Sequence, residues 1–132
     1  MINTSSETSN HSDSATFATE AGRLLTERHC EDVVLLDVTG LSQVCDFLLI
    51  ATGTSDRQMK SVASEMASMG KEVNFPAFRK NIDTGATWIV VDFISVVAHL
   101  FEPERRAYYD LEDLWADAKR VEIPTQTPTP EF

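Results

Sequence analysis

Apolar positions along the chain follow two different periods. Phe17, Ala18, Ala21, Leu24 and Leu25 recur at helical spacing, which predicts an amphipathic helix from about Ser14, slightly weakened by Gly22. DVVLLDV (32–38) and FLLIAT (47–52) are short runs of aliphatic and β-branched residues bounded by turn residues. Continuous runs of this kind predict strands covered on both faces, with LSQVCD as their connector. Met59, Val62, Ala63, Met66 and Ala67 then line one face of a second helix, and Gly70 stands where a C-cap is expected. WIVVDF (88–93) and SVVAHLF (95–101) predict two further strands. Pro103, after Glu102, opens a third helix with Ala107, Leu111, Leu114, Trp115 and Ala118 as its stripe. Helix, two strands, helix, two strands and helix, with a weak strand near Phe78, predict a small α/β domain: a mixed β-sheet with flanking helices.

The pattern stops outside residues 14–121. MINTSSETSNHSD has nothing to bury and is expected to be a disordered leader over 1–13. Residues 122–132 form a Pro/Thr-rich tail, expected to be extended and unpacked. A length of 132 residues fits a single folded domain between them.

Charge narrows the partners. Twenty-one acidic against eleven basic residues give a net charge of −10, which argues against phosphate backbone as the main contact. Little direct nucleic-acid contact is therefore expected, and a basic protein surface is the better-matched partner. Cys30 and Cys45 have no metal-ligand spacing and read as idle thiols in a reducing compartment, so neither metal nor other cofactor is implied. No apolar run has the length of a membrane span. The first 22 residues lack Lys and Arg and carry Glu7, Asp13 and Glu20, unlike secretory or transit peptides, and the expected location is the cytoplasm.

IATGTSDRQ (50–58) is the stretch most like a site. A strand ends in Gly53 and a helix starts at once, the geometry in which backbone amides receive an anion. Ser55 and Gln58, however, match a capping box, and Gly53 fits a tight turn. The Lys and second Gly of a phosphate-binding loop are missing, and Asp92 is the one acid inside its strand. The turn is therefore expected to start a helix. An enzyme using Gly53, Ser55 and Asp92 remains the alternative. His99, mid-strand and without a nearby nucleophile, is expected to be structural. The aromatic surface of Tyr108, Tyr109 and Trp115 is expected to be mostly core. Asp110, Glu112, Asp113 and Asp117 make that last helix acidic. Trp88 follows the polar loop NIDTGAT and could be core or edge; exposed beside Ile89 and Val90, it would be an interface anchor.

Three ordered blocks carry a resemblance: CDFLLIATGTSDRQ (45–58), WIVVDF with VVAHLF (88–101), and ERRAYYDLEDLWADA (104–118). Across about Leu24–Val121 the chain resembles the ribosomal silencing factor family, also called the Iojap family. It departs from the family's usual Glu-Gly before the Trp strand, with Asn81-Ile82 here, and from an Asp before the next strand, with Ser95 here. The resemblance implies a fold similar to nucleotidyltransferases without their catalytic acids. It also implies a non-enzymatic factor that binds the large ribosomal subunit at the subunit-joining face, chiefly through its fourteenth ribosomal protein. Bound there, such a factor blocks the small subunit and lowers translation when nutrients are scarce. The family's Trp strand maps onto Trp88, Ile89 and Val90, and Asp110, Glu112 and Asp113 are the acids expected to meet the basic partner. Exposed apolar strand surface would also allow a homodimer, and an adaptor that only dimerises is a third reading.

Overall fold

The structure, a computed structural model, describes residues 4–124, with side chains from His11 onward. Its elements are helix α1 (Thr4–Glu27), strands β1 (Glu31–Asp37) and β2 (Phe47–Thr52), helix α2 (Asp56–Glu72), strands β3 (Arg79–Ile82), β4 (Trp88–Asp92) and β5 (Val96–Phe101), short helices α3 (Pro103–Tyr109) and α4 (Leu111–Leu114), and strand β6 (Lys119–Val121). One six-stranded sheet runs in the order β3-β4-β5-β2-β1-β6. β2 and β5 are parallel and every other pair is antiparallel, so the sheet is mixed as the pattern predicts.

Side chains alternate along each strand and divide the apolar residues between two faces. Phe47, Leu49 and Ala51 of β2, Ile89 and Val91 of β4, and Val96, Ala98 and Leu100 of β5 lie under α1 and α2. Those helices supply Phe17, Ala18, Ala21 and Leu25, and Met59, Val62, Ala63 and Met66. On the other face Val34, Leu36, Leu48, Ile50, Val97 and Phe101 form a smaller cluster, packed by Leu111, Trp115 and Ala118. β2 is buried at every residue because it has helices on one side and the C-terminal segment on the other.

Four expectations are corrected. First, α1 reaches back to Thr4, through the expected leader. Polar residues before the apolar stripe find partners: the His11 ring lies 5.4 Å from that of Phe47, and the Ser14 and Ser95 hydroxyls are 2.7 Å apart. Second, the third helix breaks at Asp110, whose φ of 48° is left-handed, and the chain then turns into β6. Third, α2 runs past Gly70 to Glu72, with Val73 as its cap. Gly70 is needed for closeness instead, since a Cβ there would stand 2.2 Å from the Phe75 carbonyl oxygen. Fourth, the expected tail starts too early: Ile123 packs on Gly22 and Leu49. Residues 125–132 lie outside the described residues.

A candidate protein-binding face

β4 opens on Trp88, and its alternation sends Trp88, Val90 and Asp92 to one face and Ile89 and Val91 to the other. Ile89 is fully buried under the helices. That corrects its expected place beside Trp88 in a contact surface, because a period of two separates neighbours in a strand. Trp88 and Val90 are half-buried, on the face that α3 and α4 cover only in part.

Trp88 is held on several sides. Its indole N–H donates to His99 Nδ1 at 3.1 Å, its ring stacks 5.1 Å from Phe101, and Tyr109 lies 4.5 Å away. His99 is structural, as expected. Its hydrogen bond with Trp88 selects the tautomer with the proton on Nε2. Burial pushes its pKa down to about 4, against a smaller opposing pull from Asp92, so the ring is neutral near neutral pH. Beneath Trp88, Asp83 organises the β3–β4 loop. Its carboxylate accepts the Thr87 and Trp88 backbone N–H groups at 2.7 Å each, and the Thr87 hydroxyl. Burial raises the Asp83 carboxyl, but these hydrogen bonds outweigh it and hold the group below the usual carboxylate range. Arg105 Nε donates to the Thr87 hydroxyl at 3.1 Å, tying the loop to α3. NIDTGAT reads as a loop in the sequence, but the aspartate supports the Trp only through contacts made in the folded chain.

The C-terminal segment extends the apolar surface. Tyr108 is 76% exposed, Tyr109 41% and Leu114 70%, correcting the expectation that the tyrosines are core, while Trp115 is half-buried. With α3 only seven residues long and α4 four, the segment is too short to bury all of its stripe. Of the acids, Asp110 and Asp113 are exposed, but Glu112 is committed internally. It accepts from Arg106 Nη2 at 2.5 Å, while Arg106 Nη1 donates to the Thr52 hydroxyl at 2.8 Å. Burial pushes the Glu112 carboxyl up, and the hydrogen bond and charge of Arg106 more than reverse that. Glu112 therefore anchors α4 to the sheet and is corrected as a free contact for a partner.

The turn at 52–58 does start a helix. Ser55 Oγ accepts the Gln58 N–H at 3.0 Å, and the Gln58 side chain returns to the Thr54 N–H at 3.0 Å, one residue earlier than a capping box requires. Gly53 is not a strained turn residue. It continues the pairing, donating to the Phe101 carbonyl, and a Cβ there would meet Met59 Cγ at 2.1 Å. Gly53 follows Thr52, which pairs with Phe101, whereas Asp92 pairs with Val97 of the same strand. Four residues of strand separate the two positions, about 13 Å. The structure does not bring Gly53, Ser55 and Asp92 into one site. Among the described residues no cluster of His, Cys, Asp or Glu could hold a metal ion, and no helix is long and apolar enough to cross a membrane.

A family model described as ribosomal silencing factor during starvation matches residues 11–131. Ribosomal silencing factor RsfS of Halalkalibacterium halodurans is 37% identical over 97 residues, covering 74% of this chain and 83% of that protein. A solved protein from Chromobacterium violaceum superposes with a TM-score of 0.73 at 28% identity, over 87% of this chain and 89% of that one. More distantly, mouse mitochondrial assembly of ribosomal large subunit protein 1 is 28% identical over 116 residues, which are 83% of this chain and 51% of that protein.

Proposed function

The chain belongs to the ribosomal silencing factor family, and from that premise we propose that it silences ribosomes by binding the large subunit at its subunit-joining face. Its contact there is the fourteenth large-subunit ribosomal protein, and the bound factor excludes the small subunit and lowers translation when nutrients are scarce. The observation that carries this reading is the unfinished cover of the second sheet face. Trp88 and Val90 are half-buried there beside exposed Tyr108, Tyr109 and Leu114, a rigid aromatic surface of the kind that anchors protein interfaces. The net charge of −10 suits a basic partner and would speed the encounter.

The factor acts in the cytoplasm by occupancy, with no reaction to perform. The distance between Gly53 and Asp92 supports this, since the one catalytic arrangement the residues offered is dispersed over the sheet. The test is subunit joining with purified ribosomal subunits. Stoichiometric protein should hold the subunits apart without nucleotide. Joining at the normal rate and extent would overturn the reading, and a block that appears only with nucleotide would restore an enzymatic one.

A further inference from the structure

Of the non-glycine residues with positive φ among the described residues, only Ile94, in the β4–β5 turn, is β-branched. Its φ of 79° is a left-handed backbone that such a side chain rarely adopts. The Ile94 N–H donates to the Asp92 carboxylate at 2.8 Å, and the Ser95 N–H donates to the Phe93 carbonyl at 3.0 Å, closing a three-residue turn. Glycine would take this backbone without strain. The isoleucine side chain offsets little of that strain within the fold, since it is 61% exposed. Strain that holds an apolar side chain out in water points to a contact outside the fold.

Ile94 lines an open cleft of about 700 Å³, beyond the end of β4 opposite to Trp88. Helix α1, the α2–β3 connection and the β4–β5 turn form it. Val73, 51% exposed, and Phe75 add to its apolar lining. The lining is already packed: Phe17 of α1 stacks 4.9 Å from Phe75 and meets Phe93 edge-on at 4.8 Å, and the Ser14–Ser95 hydroxyl contact ties α1 to the turn. A contact made there therefore has little ordering cost. Asp13 and Asp46 also line the cleft, and among the described residues no Lys or Arg does. A second copy of a chain with net charge −10 is a poor match for those acids. Apolar surface beside carboxylates suits a lysine or arginine, whose stem lies on apolar groups while its charged head stays in polar surroundings. We propose that this cleft holds a basic segment of a ribosomal protein, with Ile94 as the apolar anchor and Asp13 and Asp46 facing the cation. Naming the partner as ribosomal rests on the function proposed above.

Two binding measurements and a melting curve test it. One is anisotropy of a short fluorescein-labelled peptide of repeating Gly-Lys-Leu, titrated with full-length protein at low salt. The other is co-sedimentation with purified large subunits. Ile94→Gly should raise the melting temperature by about 2–5 °C as the backbone strain is relieved. It should nonetheless weaken peptide and subunit binding about fivefold, the loss of one interface contact. Ile94→Asn, which tolerates the left-handed backbone, should weaken both to the same extent. Asp13→Asn with Asp46→Asn should weaken peptide binding and flatten its salt dependence. Trp88→Ala should leave the peptide's affinity unchanged, since Trp88 opens β4 and the cleft lies past its other end. Wild type that ignores the peptide overturns the proposal, as does either assay in which wild type binds and both Ile94 variants bind equally well. A lower melting temperature for Ile94→Gly overturns it too, because the side chain then serves the fold. If wild type fails to sediment with large subunits, the proposed function falls and the peptide alone decides the cleft. If wild type is dimeric on a sizing column and Ile94→Gly is monomeric with peptide binding intact, a second copy occupies the cleft and the proposal is wrong.

Discussion

Leu49 and Ile50 are neighbours on β2, both fully buried, and they belong to different clusters. Leu49 faces two long helices that close over it. Ile50 faces a C-terminal segment of two short helices, beside which Trp88, Val90 and His99 stay half-buried. The first face is finished by the chain itself. The second has packed density around Phe101 but a rim of aromatic surface facing water, held by hydrogen bonds that Trp88 donates to His99 and Asp83. The difference separates stability from recognition: residues under α1 and α2 hold the fold, and residues under α3 and α4 are partly available to something else.

The largest effect should come from the finished face. Leu49→Ala removes a fully buried side chain and should cost about 2–5 kcal/mol in urea unfolding, whereas Val90→Ala should cost about 1 kcal/mol. Equal costs would mean that both faces are closed core. Acid should then act through the second face. His99 is neutral when folded and protonates more readily when unfolded, so its contribution is complete above about pH 6.5. It is lost as pH falls toward about 4, and amounts to about 3 kcal/mol. The carboxylates held low by Arg106 and by Thr87 and Trp88 lose theirs at lower pH, beneath the ordinary carboxylate range. Trp88→Ala should uncover His99 and flatten the profile between pH 6.5 and 4; an unchanged profile would mean that Trp88 does not shield the ring.

Smaller effects sort the acids. Glu112→Gln leaves the part-buried Arg106 without its carboxylate and should cost about 1–3 kcal/mol, read by urea unfolding. Asp110→Asn with Asp113→Asn should change stability by no more than about 0.5 kcal/mol, since both side chains are exposed and asparagine tolerates the left-handed backbone. Stopped-flow association with large subunits should nonetheless slow, and its salt dependence should weaken. An unchanged on-rate would remove these two acids from steering.

Much of the helix-covered face was legible in the sequence, because its residues repeat at periods set by backbone geometry. The runs at 47–52 and 88–92, the stripe of α2 and the Ser55 cap follow from such local rules. The rest depends on tertiary contacts. RKNI is the weak strand expected near Phe78, but its residues are all exposed and only pairing with β4 fixes its bounds; KRV, which was not expected, is a strand by pairing with β1. The break at Asp110 has no Gly or Pro to announce it. At the candidate face, Trp88 and Val90 were placed from one strand, but alternation should also have set Ile89 apart from them. Glu112 looked like its acidic neighbours because Arg106 reaches it only once α3 and α4 have folded against each other.

The most direct test compares one residue from each side of the molecule in co-sedimentation with purified large subunits. Trp88→Ala is measured below its own unfolding midpoint, with circular dichroism matching wild type, beside Lys60→Ala on the exposed side of α2. Loss of a hot-spot anchor of about 2 kcal/mol predicts binding at least about thirtyfold weaker for Trp88→Ala, and wild-type binding for Lys60→Ala. Folded Trp88→Ala protein that still sediments with large subunits at wild-type affinity would contradict the assignment of this face to the ribosome.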